Sequence, residues 1–268
     1  MRGDSAVGLT QVTGAAAQVR VRWPRGTGGV GDTNALAHGG PVPSEQVTQT
    51  SYGGGTDAVG VFAGAAAIDQ ISTVAANNGH SVIFNTRASI FTELCGGPVV
   101  DDLCCWSIRA TFACQGITGP SLLDHGIFIL QGNYNAWAAG AGAGIQFGPT
   151  DVAEIRMRAK VTAAGAVTVN DIVAAALTPN LALYNTYELR AISGSNVTQP
   201  VCFGLINGQV ATPKRQFGAA AALLPGPSKV GGFYGYSFGL INISAGVVPH
   251  MWVHEIVITG AQKEADLF

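Results

Sequence analysis

Ionic side chains are scarce in this chain: Asp, Glu, Lys and Arg make up 11% of its 268 residues, less than half of the roughly 25% common in soluble domains. Sixteen acidic and fourteen basic residues nearly cancel, leaving a formal net charge of −2. Neither sign prevails, so nothing invites a polyanion. Nucleic acid would want a basic stripe; Arg20, Arg22 and Arg25 are too few for one and read as contacts to a neighbouring protein. Long hydrophobic runs are missing too. Val59–Ala67 and Gly218–Leu224 stop well short of the roughly 20 residues a membrane-spanning helix needs, so no membrane span is expected. No basic segment followed by an apolar run opens the chain, so Met1–Gly8 does not read as a secretory signal. Without one, the sequons at Asn196 and Asn242 carry no weight.

Chemistry-bearing motifs are equally sparse. There is no Gly-x-Ser-x-Gly elbow and no cysteine with a persuasive histidine partner. The Gly-rich stretches lack the Gly-Lys-Ser/Thr that cradles phosphate. His250 and His254 stand four apart, but Met251 follows the first where a metalloprotease needs Glu. Adjacent Asp101 and Asp102 read as a solvated turn, and Arg2-Gly3-Asp4 as a chance tripeptide. None of the five cysteines forms a Cys-x-x-Cys pair. Cys95, Cys104, Cys105 and Cys114 lie close together, as packed thiols or as a disulfide across a hairpin, and Cys202 stands apart. No catalytic, cofactor-binding or metal residue is assigned, and the chain is read as a non-enzyme.

What remains is apolar and flexible. Hydrophobic residues make up 47% of the chain, and glycine occurs 37 times. A core is affordable without staples, and recurring blocks of β-branched and aromatic residues argue against disorder. The exterior must then consist largely of Gly, Ala, Ser, Thr, Asn and Gln, weakly protected against self-association. Such a surface suits a chain packed among copies of itself.

Residues 1–55 differ from the rest, with Pro24, Pro41, Pro43 and the Gly-rich Gly26–Gly31. They read as an extended N-terminal arm. Within it Val19-Arg20-Val21-Arg22-Trp23 alternates apolar and charged residues, the pattern of a strand added to a partner. From Thr56 to Asn78 a short helix (Ile68, Ile71, Val74 and Ala75 at helical spacing) and a strand pair are both open. Strand signals then come steadily at Ser81–Phe84, Ala88–Cys95, Leu103–Cys114, Gly126–Gln131, Gly144–Phe147, Glu154–Thr162, Ala166–Val173, Thr186–Ile192, Val201–Ile206, Tyr236–Ile243 and Met251–Thr259. Glu154–Val161 alternates strictly, so one face should enter the core. The expected fold is mainly β, an antiparallel β-sandwich over 56–268 behind the arm.

Tyr187–Ala191, Phe203–Val210 with its Asn207-Gly208 turn, and His250–Ile258 follow the strand rhythm of the concanavalin A-like lectin and laminin-G-type jelly roll. The second half of the chain resembles that family. The resemblance implies two antiparallel sheets, one often used to bind glycans. The chain lacks the closely spaced Glu pair of the glucanase members and the Asp/Asn calcium loop of legume lectins. Its composition, arm and sandwich also look like structural proteins of tailed bacteriophages.

Tyr134, Trp137, Phe233, Tyr234 and Tyr236 fall in Gly- and Asn-rich, loop-like segments, as loop anchors or as interface hot spots. Phe233–Tyr236 is the leading contact surface. On the closing strand His250, Trp252 and His254 share a face, and Trp252 joins the surface-contact set. The reading is a virion structural protein, a capsid-decoration, head-fibre or tail-associated component assembled in the host cytoplasm. It would dock through Val19–Trp23 on copies of itself or on other capsid or tail proteins, with no cofactor. The alternative is a lectin-like carbohydrate-binding module whose partner is a host-surface glycan.

Overall fold

The computed structural model describes residues 8–11, 16–22, 46–52, 56–71, 78–86, 104–116, 123–131, 143–151, 153–160, 167–193, 201–216, 234–242 and 248–261. In chain order the strands begin with β1 (Gly8–Gln11), β2 (Ala16–Arg22), β3 (Gln46–Tyr52), β4 (Thr56–Phe62), β5 (Ala65–Ile71) and β6 (Asn78–Thr86). They continue with β7 (Cys104–Gln115), β8 (Leu123–Gln131), β9 (Ala143–Asp151), β10 (Glu154–Lys160), β11 (Val167–Ile172) and β12 (Asn185–Ser193). The last are β13 (Val201–Ile206), β14 (Gln209–Val210), β15 (Arg215–Gln216), β16 (Tyr234–Asn242) and β17 (His250–Ala261). They form two antiparallel sheets. One runs β1-β2-β17-β7-β12-β13-β14, with β15 beside β13 and the β4–β5 hairpin beside β17; the other runs β11-β10-β9-β8-β16-β6-β3.

Aromatic and aliphatic side chains from the two sheets meet between them, as expected of a sandwich. On β7, Trp106, Ile108, Ala110 and Phe112 are fully buried, as are Leu189 and Ala191 on β12. Opposite them stand Phe147 of β9 and Ile155, Met157 and Ala159 of β10. The strict alternation of Glu154–Lys160 thus places its apolar set inward. Tyr187 of β12 stacks on Phe112 with ring centroids 4.2 Å apart and meets Phe147 of the other sheet edge-on at 6.3 Å. Fully burying one such side chain stabilises the fold by about 1.5–3 kcal/mol. Gly204 of β13 lets Phe147 come this close, since a Cβ there would stand 2.5 Å from the ring. Beside it the Thr212 hydroxyl accepts from Gly204 N at 2.7 Å and lies 3.8 Å from the Met157 sulfur. At the sandwich edge Arg215 of β15 crosses to Asp171 of β11, its Nε donating to Oδ2 at 2.6 Å and its Nη2 to Oδ1.

The pairing of β2 bears on the expected N-terminal arm. Val19–Arg22 do form a strand, but its partners lie in the same chain. β1 takes one edge of β2, and residues 255–261 of β17 take the other. The register sets Val21 opposite Ile256, Val19 opposite Ile258, and Arg22 opposite Glu255. The register thus sets apolar residues opposite each other at two positions and an arginine opposite a glutamate at a third, while Arg20 falls opposite Val257; the first three are pairs that favour a given register. An intramolecular partner is also reached without the translational entropy a second molecule would cost. Farther along, β3 joins the other sheet beside β6. The boundary at residue 55 therefore separates no free arm from the body among the described residues. Trp23 and Arg25 lie outside them.

Of the two readings of 56–78, the strand pair is the one formed. β4 and β5 pair from Thr56↔Ile71 to Phe62↔Ala65 across a two-residue turn. Ala63 and Gly64 there have φ of 46° and 79°, the left-handed pair typical of a tight hairpin turn. The Asn207-Gly208 turn foreseen from sequence has the same character, with φ of 50° and 81°. Ala88–Cys95, Asp101, Asp102 and Gly218–Leu224 lie outside the described residues.

Candidate functional site

Strand β17 is where the site begins. One of its edges is paired along its length with β7, whereas the other is shared: β5 takes His250–Val253 and β2 takes Glu255–Ala261. The register slips between Val253 and Glu255, which makes His254 the extra residue of a bulge. Before the bulge Met251 and Val253 are fully buried in the core. His250 and Trp252, alternating with them, point to the outer face of the sheet.

Register decides what joins them there. Trp252 stands opposite Asp69 on β5 and Ala113 on β7, and His250 opposite Gln115. Directly paired residues share a face, so an imidazole, an indole, a carboxylate and an amide meet. His250 Nδ1 lies 2.8 Å from Asp69 Oδ2, with side-chain exposures of 28% and 5% respectively. The Trp252 indole N–H donates to Gln115 Oε1 at 3.1 Å. Phe62, at the end of β4, stacks on Trp252 with centroids 5.2 Å apart and planes 9° apart, and the His250 ring lies parallel on Trp252 at 6.3 Å. Gly60 makes room for the indole, since a Cβ there would sit 3.1 Å from it. Tyr184, entering from the turn before β12, meets Phe62 edge-on at 6.0 Å and His254 at 5.7 Å.

Electrostatically the patch is held under tension. Burial pushes the Asp69 carboxyl above its ordinary range, and the His250 hydrogen bond and charge offset this only in part. Burial, helped by the nearby Asp69 charge, pushes the Tyr184 phenol up to about 12. Asp69 Oδ1 and Tyr184 OH are both buried without a hydrogen-bond partner in the protein, an arrangement that costs about 1–3 kcal/mol per group if nothing else meets it. A second acidic group on the same face is already engaged. Glu188 accepts from Ser107 Oγ at 2.6 Å and from Arg190 Nε at 2.7 Å. Among the described residues no group of three or more His, Cys, Asp or Glu is placed to hold a metal, and no helix is long and apolar enough to cross a membrane.

The residues singled out from sequence fare unevenly. Trp252 and His250 come together on one face, but the bulge buries His254 and sets it against Tyr184. Val19, Arg20, Val21 and Arg22 lie in β2, an interior strand of its sheet. Tyr234 and Tyr236 are not in a loop; they lie in β16, between β8 and β6. Trp23, Tyr134, Trp137 and Phe233 lie outside the described residues. Phe62, Asp69, Gln115 and Tyr184 were not foreseen. Their only sequence signal is that each sits in or beside a strand, and only the register brings them to Trp252.

Fold and patch together define an antiparallel β-sandwich with an aromatic–polar patch on its outer face. No protein-family model and no curated protein matches the chain. Among solved structures it is similar to the endo-1,3-β-glucanase of Streptomyces sioyaensis, at 11% identity over 82% of this chain and 90% of that one, with a TM-score of 0.49. It is also similar to the lectin from Bauhinia forficata in complex with GalNAc, at 8% identity, 91% and 99% coverage and a TM-score of 0.45. A conserved carbohydrate esterase from the Shiga toxin-encoding bacteriophage phi24B matches at 14% identity, with 80% and 90% coverage and a TM-score of 0.44. These neighbours are lectin-like β-sandwiches, and likenesses so remote carry no functional argument.

Proposed function

We propose that this chain is a non-catalytic recognition module that binds carbohydrate through the His250–Trp252 patch. One observation supports this above the rest: a part-exposed imidazole holds a buried carboxylate that has one oxygen unpartnered, and beside it a half-buried indole is hydrogen-bonded to an exposed amide. Sugars offer C–H faces to aromatic rings and hydroxyls to carboxylate and amide groups, and binding sites commonly pair an apolar lining with a few fixed polar atoms. A His–Asp pair also serves hydrolases, but only where it activates a nucleophile. Here His250 Nδ1 is hydrogen-bonded to Asp69 Oδ2, and among the described residues no serine, threonine or cysteine is hydrogen-bonded to either side chain.

The test is a glycan array followed by calorimetry on wild type, Trp252→Ala and His250→Ala. Wild type should bind at least one glycan class, and each substitution should weaken that binding by about tenfold or more, the usual effect of losing a central contact. A blank array with folded wild-type protein ends the proposal.

A second reading, a structural component of a virion, is supported by the surface around the patch. Val61, Leu183 and Val248 are exposed, close in sequence to Phe62, Tyr184 and His250, in a chain with few charges to keep copies apart. In that setting the module would sit on an assembled particle, and copurification with one is the deciding observation.

A further inference from the structure

Resting on the carbohydrate reading, we infer that the binding face continues from Trp252 to Arg109, and that its ligand is an anionic oligosaccharide whose acidic group Arg109 holds. Strand β7 sets that face. Its core side is Trp106, Ile108, Ala110 and Phe112, all fully buried, so Ser107, Arg109 and Thr111 alternate onto the outer face. Trp252 lies on the same face, paired with Ala113. Register then lays out a strip. Thr111 stands opposite Thr186 of β12, their hydroxyl oxygens 3.2 Å apart, and Arg109 stands opposite Glu188. Trp252, Thr111, Thr186 and Arg109 are all part-exposed. From Ala113 to Arg109 the strand advances by about 14 Å, at about 3.4 Å per residue, a span that suits a short chain of sugars and exceeds one ring.

Charge gives the strip a direction. At the Trp252 end Asp69 and His250, 2.8 Å apart, answer each other as acid and base. At the other end Glu188 is shared unequally between two guanidinium groups. It accepts from Ser107 Oγ at 2.6 Å and from Arg190 Nε at 2.7 Å, and no hydrogen bond or ion pair ties it to Arg109 across the strands. Two cations beside one carboxylate leave this end positive. The formal net charge of −2 hides that excess, because a sum over the sequence ignores which face each charge occupies. Glu255, opposite Thr111, has Arg22 across from it in the register, so that pair leaves the balance unchanged. A guanidinium offers N–H donors in a planar fork that matches a carboxylate or a sulfate. Its partial burial adds to the value of such a contact, since charges removed from bulk water are screened less. Between the two ends the Thr111 and Thr186 hydroxyls, each able to donate and accept, suit sugar hydroxyls. A neutral glycan uses the Trp252 end alone; an anionic one uses both.

Calorimetry tests this with oligosaccharides of glucuronate, galacturonate or mannuronate and with sialyllactose, each beside its carboxyl-reduced form. Sulfated galactose oligosaccharides beside unsulfated ones separate sulfate from carboxylate as the acidic group. For at least one pair, wild type should bind the acidic member about tenfold or more tighter, as for a hydrogen bond to a charged group, and the advantage should shrink as salt is raised. Arg109→Gln should bring the acidic member down to its neutral counterpart and leave the neutral one unchanged, which also shows that the variant is folded. Arg109→Lys should keep part of the preference, and Trp252→Ala should weaken both members alike. If wild type binds acidic and neutral members equally, the inference is overturned while the carbohydrate reading stands. The same holds if Arg109→Gln keeps the preference or weakens both members by the same factor. If wild type binds no member of the panel, acidic or neutral, both fall.

Discussion

At Asp69 two opposing effects meet, and burial outweighs the His250 hydrogen bond, so the carboxyl holds its proton above the ordinary range. A carboxyl with a raised folded pKa is favourable to the native state below its unfolded value of about 4, and that contribution is lost as pH climbs through the folded value. Asp69→Asn abolishes the titration. Denaturant unfolding at a series of pH values should show the variant gaining on wild type as pH rises from about 4; a difference independent of pH would contradict the burial argument. Gly204 makes a sharper residue-scale case. Because a Cβ would collide with the Phe147 ring, Gly204→Ala should cost about 1–3 kcal/mol, the usual penalty for overpacking, measured by urea unfolding. Cys114 and Cys202 are buried, and burial pushes both thiols far up. Pulsed alkylation read by mass spectrometry should leave both unlabelled until denaturant is added, because the thiolate is the reacting form.

Hairpins show at the scale of elements why one turn was legible and another was not. Asn207-Gly208 announces itself, and the structure anchors it further. Asn207 Oδ1 accepts from Thr186 N at 2.9 Å, and its Nδ2 donates to Asn185 Oδ1 at 3.0 Å. The β4–β5 turn adopts the same left-handed pair with Ala63 in first place, a residue that gives no turn signal and that left a helix open for 68–75. Left-handed φ costs a non-glycine residue roughly 1–2 kcal/mol. Ala63→Asn, which recreates Asn-Gly, should stabilise the protein by about 0.5–1 kcal/mol; no rise in the unfolding midpoint would argue against this turn. The clamp between β15 and β11 is likewise an element-scale device. Arg215 is nearly half exposed but Asp171 is 8% exposed, so Arg215→Met strands a buried carboxylate. A loss on the order of 1–3 kcal/mol is expected in the same unfolding assay.

For the molecule as a whole, the leading 55 residues supply strands to both sheets. Removing them would uncover the Glu255–Ala261 edge of β17 and the outer edge of β6. The truncated protein should melt at a clearly lower temperature by circular dichroism and associate more readily by light scattering, because bare strand edges pair with one another. If it keeps the melting temperature of the full chain, β2 and β3 add nothing to the sandwich. The low charge content acts at this scale too, through solubility and association, and it bears on where the module resides more than on what it binds.

Strand identity was largely written in local chemistry. Alternation placed Ile155, Met157 and Ala159 inward, and β-branched blocks marked β7, β12, β13 and β17. These signals need only a residue and its near neighbours. The partner of β2 and the composition of the patch depended instead on register, which is a long-range property. Asp69 and His250 are separated by 181 positions in sequence, and they meet because β5 pairs with β17 only up to the bulge at His254. Backbone hydrogen bonding across the sheet, and not the periodicity of any one strand, decided which side chains surround Trp252.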